Sequence, residues 1–129
     1  MKTDAICSDN AVDLRWDDYP GNEEMQNARM YLSLLCSPRK VEDLALRLDR
    51  AELVLFRAPF DIIRAAGVNL APQTETKVLE KIRYIHSKKV LSPILTIRSK
   101  HNSRIHIADG YYTLCAIHYL SPDTKAPLS

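Results

Sequence analysis

Ile105-His106-Ile107-Ala108-Asp109-Gly110-Tyr111-Tyr112-Thr113-Leu114-Cys115-Ala116 is the stretch on which the reading of this chain turns. Its first half is β-branched and alternating, its second half has helical spacing, and a glycine stands between them. That order predicts strand, turn and helix, with Asp109 as N-cap and Gly110 allowing close backbone approach. The first turn of such a helix leaves N–H groups without intrahelical partners, and these suit an anion. Just upstream, Ile94-Leu95-Thr96-Ile97-Arg98 and Arg104-Ile105-His106-Ile107-Ala108 alternate around the polar loop Ser99-Lys100-His101-Asn102-Ser103, the pattern of a β-hairpin. Ile94, Ile97, Ile105, Ile107 and Leu114 are the predicted core residues of this unit. Residues 111–119 read as a helix with Leu114, Ala116 and Ile117 partly buried.

Toward the N-terminus the periods are helical. From Glu23, Met25, Ala28, Leu32 and Leu35 recur at three- and four-residue steps. Ser37-Pro38 then stops one helix and starts the next, Ser37 as N-cap and Pro38 at the first helical position. Val41, Leu44 and Leu48 form the buried stripe of that second helix, so the two should pack as a hairpin. Leu53-Val54-Leu55-Phe56 reads as a short strand. Pro59 to Ala66 reads as a third helix closed by Gly67. A fourth spans Glu75 to Lys88, with Val78, Leu79, Ile82 and Ile85 on one face and Lys88 and Lys89 at its negative end. Helices, then a hairpin, then a helix predict an α+β domain over residues 21–129. Residues 1–20 read as a loosely held acidic arm, pinned by Trp16 and Tyr19 and ending in the turn Tyr19-Pro20-Gly21.

The 129 residues fit one domain, and 46% apolar with 26% charged residues excludes a disordered tail or a collagen-like repeat. The formal net charge of +2 hides an asymmetry. Residues 1–30 hold seven acids against three bases, a net −4, and residues 77–104 hold eight bases against Glu80, a net +7. The basic region reads either as a solvated helix face or as a surface that attracts an anion. The start has no signal-peptide pattern, and no apolar run approaches the length of a membrane span. Cys7, Cys36 and Cys115 form neither a CxxC motif nor a disulfide framework, so the expected setting is the reducing cytoplasm, away from any membrane.

Leu91-Ser92-Pro93-Ile94-Leu95-Thr96-Ile97, followed by Ile105-His106-Ile107-Ala108-Asp109-Gly110-Tyr111 and Cys115-Ala116, resembles the ParB/sulfiredoxin-like superfamily. There an "xPIxV" strand precedes an "I-x-(D/G)-G-x-x-R-x-x-A" strand–turn–helix. More closely, the chain is similar to small bacterial proteins of unassigned function whose segment reads IADGYHRVCA. The Tyr19-Pro20, Tyr31–Leu35 and Ile63–Gly67 segments fit them too, so the resemblance spans about residues 19 to 120. It implies a helical hairpin packed on a small ParB/sulfiredoxin-like sheet, and a pocket in which the helix after the turn receives the phosphates of ATP or CTP, with magnesium. The nucleotide- or phosphate-binding residues it implies are Asp109, Gly110, Tyr111, Tyr112, Thr113 and Ser92, with Arg98 and Arg104 from the hairpin. One departure matters. The His-Arg pair of the pattern is Tyr112-Thr113 here, so the bidentate guanidinium is missing and Arg98, Lys100 or Arg104 would have to replace it. First-turn positions 112 and 113 are expected to let long polar side chains reach solvent.

Other constellations carry little chemistry. His101, His106 and His118 lack metal-ligand spacing and read as cross-strand or surface histidines, so no metal site is expected. Cys115 and His118 are neighbours on one helical face, and Cys115 reads as a small buried apolar residue. No helix-turn-helix follows the strand–turn–helix, so sequence-specific DNA binding is not expected. The function this implies is a degenerate, non-catalytic binding module with weak nucleotide or phosphate affinity. Two alternatives stay open. One is an ATP-using phosphotransferase-type enzyme with Asp109 as base. The other is an interaction protein that uses the acidic arm and helical hairpin toward a protein partner or a second copy of itself.

Overall fold

The computed structural model describes residues 14–50, 55–98 and 104–128. Strand β1 (Arg15–Trp16) leads into helix α1 (Asn22–Ser33) and helix α2 (Pro38–Arg50). Strand β2 (Leu55–Arg57) is followed by helices α3 (Pro59–Ala66) and α4 (Thr76–His86). Strands β3 (Val90–Leu91), β4 (Leu95–Arg98) and β5 (Ile105–Asp109) precede helix α5 (Tyr111–Leu120) and strand β6 (Ala126–Leu128). The fold is small and α+β, and its strands form three two-stranded pairs: β1 parallel to β3, β2 antiparallel to β6, and β4 antiparallel to β5.

Local chemistry accounts for the helix boundaries. Pro38 opens α2, and Ser37 receives the Lys40 N–H on its hydroxyl at 3.4 Å and the Val41 N–H on its carbonyl at 2.9 Å. Gly67 closes α3 in the left-handed region, φ 71°, where its N–H and that of Val68 satisfy the Arg64 and Ile63 carbonyls. Met25, Ala28 and Leu32 bury one face of α1 against Val41, Ala45 and Leu48 of α2 and against Leu95 and Ala108 of the β4–β5 pair. A second core gathers Ile62, Ile63, Val78, Ile85 and Ile94 around Leu114, Cys115, Ala116 and Ile117. The β4–β5 pair thus lies between two apolar clusters.

Several expectations change. Leu35 is not on the α1 stripe: the helix ends at Ser33, and Leu35 stands in the turn, 53% exposed. Leu79 falls at the edge of its helix's apolar face and is exposed, while Ile82 is half-buried. Helix α4 ends at His86, so Lys88 and Lys89 lie beyond it, and Lys88 holds a left-handed φ of 59°. Helix α5 is more central than predicted, with Thr113 to Ile117 all buried, which makes it apolar on every side. Asp109 is the last residue of β5, and the N-cap of α5 is Gly110. Ile94 and Leu114 are fully buried, and Ile97, Ile105 and Ile107 pack partly buried on the two clusters. Trp16 packs on the second core, whereas Tyr19 is 60% exposed. Leu53, Val54, most of the acidic arm and the loop with Lys100 and His101 lie outside the described residues.

Candidate functional site

The register of the β4–β5 pair sets the site. Leu95 faces Asp109 but Thr96 faces Ile107, so Ala108 is an extra residue, a bulge. On a regular strand, residues an odd number apart point to opposite faces. The bulge lets His106 and Asp109 line one cavity of about 750 Å³. That size suits a small organic ligand.

Gly110 turns the chain from β5 into α5 with φ 107°, a conformation side-chain-bearing residues avoid. A Cβ there would lie 2.6 Å from Cδ1 of Ile94. No side chain caps α5. The Leu114 N–H is the first to bond within the helix, to the Gly110 carbonyl at 2.9 Å. Gly110 to Thr113, the start of α5, line the cavity at the positive end of the helix dipole.

Three more elements complete the wall. Helix α1 contributes Asn27 and Tyr31, the end of α3 contributes Ala66 and Gly67, and α4 contributes Lys77, Glu80 and Lys81. The Tyr31 hydroxyl is 3.2 Å from Nδ1 of His106. Arg104 also lines the cavity, with its guanidinium against Gly67. The segment after α3 is held to α5 by two tyrosines: the Tyr111 hydroxyl donates to the Asn69 carbonyl, and that of Tyr119 donates to the Ala71 carbonyl at 2.6 Å. Burial raises the Tyr111 phenol to about 12, so it stays protonated as a donor.

The proton affinity of the Asp109 carboxyl is strongly displaced. Burial lifts it to about 6, helped by the charges of Glu24 and Glu23, while a hydrogen bond from Asn27 and the charge of Lys81 pull it down. Instead of capping α5 it engages the Asn27 side chain of α1. Across the cavity wall Lys77, Lys81 and Arg104 stand against Glu80 and Asp109, so the bases outnumber the acids by one.

Of the residues singled out in the sequence, Asp109, Gly110, Tyr111, Tyr112, Thr113 and Arg104 come together here. Ser92 and Arg98 do not line the cavity: the Ser92 hydroxyl turns to the Pro93 carbonyl at 3.5 Å, and Arg98 is exposed at the end of β4. Thr113, 6% exposed, does not point its side chain to solvent as expected, because α5 is covered on that side as well. His106, predicted as a cross-strand or surface residue, pairs with Ile97 across the β4–β5 pair and also lines the cavity beside Tyr31. Cys115 is fully buried and burial raises its thiol, so it lacks thiolate character. His118 packs against Phe60, ring centroids 5.4 Å apart. Sequence reading missed Asn27, Tyr31, Lys77 and Lys81. A signal was present for the last two, which stand four residues apart on their helix beside the apolar face of Val78, Ile82 and Ile85.

Fold and site together define a small α+β domain with a cavity at a bulged strand–turn–helix. Comparison with protein families, with curated proteins and with solved structures finds no match. Among the described residues no helix is long and apolar enough to cross a membrane, and no three His, Cys, Asp or Glu gather to hold a metal.

Proposed function

We propose that this chain is a binding module for a small phosphorylated ligand of the nucleotide class, ATP or CTP among them. The observation that carries the reading is the uncapped N-terminus of α5 opening into a cavity that Lys77 and Lys81 also line. Backbone N–H groups and ammonium groups are the donors that phosphate oxygens require. The ParB/sulfiredoxin-like resemblance of the Ala108–Tyr111 turn supports the same reading. Tyr112 and the buried Thr113 provide no guanidinium clamp, so affinity is weak and rests on backbone and lysines. Glu80 and Asp109 are the cavity's carboxylates and would meet a magnesium ion carried on the nucleotide's phosphates.

Titration calorimetry with ATP, CTP and inorganic phosphate tests this. Binding should weaken by roughly ten- to a hundredfold in the Lys77→Ala/Lys81→Ala variant, given the usual worth of charge-assisted contacts. Unchanged affinity in that variant would remove the cavity from the account. A second reading rests on Asp109. A carboxyl near 6 inside a cavity is suited to accept a proton from a hydroxyl nucleophile, as an ATP-using phosphotransferase requires. ATP turnover abolished by Asp109→Asn, with nucleotide binding retained, would put that reading first.

A further inference from the structure

Several charges of α1 to α3 are paired within the chain. Arg29 meets Glu42 at 3.3 Å, Arg47 and Lys40 meet Asp43 at 3.3 and 3.9 Å, and Arg64 meets Asp61 at 3.9 Å. Helix α4 and the turn after it are different. None of Lys77, Lys81, Arg83, Lys88 and Lys89 has a carboxylate within ion-pair distance among the described residues.

These cations are also arranged around aromatic rings. Lys77, Lys81, Tyr84 and Lys88 follow one another at helical four-, three- and four-residue steps, which places the first three on one face of α4. The Tyr84 hydroxyl donates to the Val90 carbonyl at 2.9 Å, which fixes the ring. Lys81 and Lys89 place their ammonium groups 5.7 and 5.3 Å from its centre. Lys77 does the same for Tyr112, at 5.4 Å, on the cavity wall. The stripe Lys89–Tyr84–Lys81–Lys77–Tyr112 therefore runs continuously from the surface into the cavity.

We infer that this stripe binds single-stranded nucleic acid, with one terminal nucleotide entering the cavity and the following phosphates meeting the cations at the end of α4 and in the turn after it, Arg83, Lys88 and Lys89. The inference rests on the cavity's taking a nucleotide, as proposed above, and names the form in which that nucleotide arrives. Positive charge that tracks a backbone, interleaved with aromatic rings on which bases stack, is how single strands are held without sequence readout. A duplex has no unstacked end to enter the cavity. An acidic peptide would meet the lysines but would leave the cavity and the tyrosine rings unused.

The test compares a single-stranded hexanucleotide bearing a 5′-phosphate, as RNA and as DNA, with the mononucleotides and with a hexaglutamate peptide. It uses the full chain and the variant Arg83→Ala/Lys88→Ala/Lys89→Ala, whose changes lie outside the cavity and on exposed positions. The hexanucleotide should bind at least tenfold tighter than the mononucleotide at low salt. The variant should lose most of that gain, keep its mononucleotide affinity, and show a log affinity–log salt slope shallower by about 2. Binding of either RNA or DNA supports the inference, and the tighter of the two names the source. Mononucleotide binding that the hexanucleotide does not exceed would overturn the stripe and leave the cavity reading standing. So would hexaglutamate binding as tight as the oligonucleotide's, or an unaffected variant. Absence of binding by every nucleotide would overturn both readings.

Discussion

The α1–α2 hairpin and the α4–α5 region treat their polar groups in opposite ways. In the hairpin, Arg29, Lys40 and Arg47 each find an acid in the chain, and the buried stripes are aliphatic. Around the cavity an apolar helix begins without a cap, an aspartate is held half out of water, and a row of lysines runs without an ion pair among the described residues. Much of the hairpin's charge is paired within it, while the cavity region leaves the first turn of α5 uncapped and its lysines without an ion pair among the described residues. That contrast between the two regions, more than any single residue, marks where a ligand would act.

The largest expected effect lies at the turn. Gly110→Ala forces a side chain into φ 107° and against Ile94, so it should destabilise the fold by about 2–4 kcal/mol in denaturant unfolding. A loss below about 0.5 kcal/mol would mean the turn is not constrained as described.

Asp109→Asn sharpens the contrast through pH. The carboxyl of Asp109 binds its proton more tightly folded, near 6, than unfolded, near 3.8. The folded state therefore carries the extra proton between those values, and wild-type stability falls as pH rises through them and levels off above 6. The asparagine variant lacks that loss. It should be more stable than wild type at pH 7, by on the order of 1–3 kcal/mol after allowance for solvent screening, and no more stable at pH 4.

A smaller effect is expected just after α4, where Lys88 holds a left-handed conformation suited to glycine. Lys88→Gly should stabilise the chain by about 1 kcal/mol while weakening oligonucleotide binding, two changes of opposite sign. Smallest of all, Asp43→Ala in the hairpin removes two exposed ion pairs and should alter stability by less than about 1 kcal/mol. A larger loss there would undo the contrast from the other side.

Where local chemistry decides, the sequence was legible. Ser37-Pro38 and Gly67 mark helix ends because a cap, a proline ring and a left-handed residue act within a few positions. Asp109-Gly110 marked the turn for the same reason, and the cavity lies against it. What could not be read depends on distant partners. The Ala108 bulge follows from pairing with Leu95 and Thr96, and the partly buried Tyr31–His106 contact spans 75 positions. Strand β6 reads as an ordinary Ala-Pro-Leu until it pairs with β2 and receives the Ile94 N–H on the Pro127 carbonyl at 3.1 Å. The burial of Thr113 likewise depends on how α5 is covered by α3 and α4, which no local pattern records.

The measurement that bears most directly on the central claim is an NMR titration of the ¹⁵N-labelled chain with ATP and with CTP. The account predicts that the amide signals of Gly110, Tyr111, Tyr112 and Thr113 shift first and furthest, followed by those of α4 around Lys77 and Lys81, while the α1–α2 turn around Leu34 stays still. Nucleotide-induced shifts confined to the helical hairpin, with the amides of 110–113 unmoved, would contradict it.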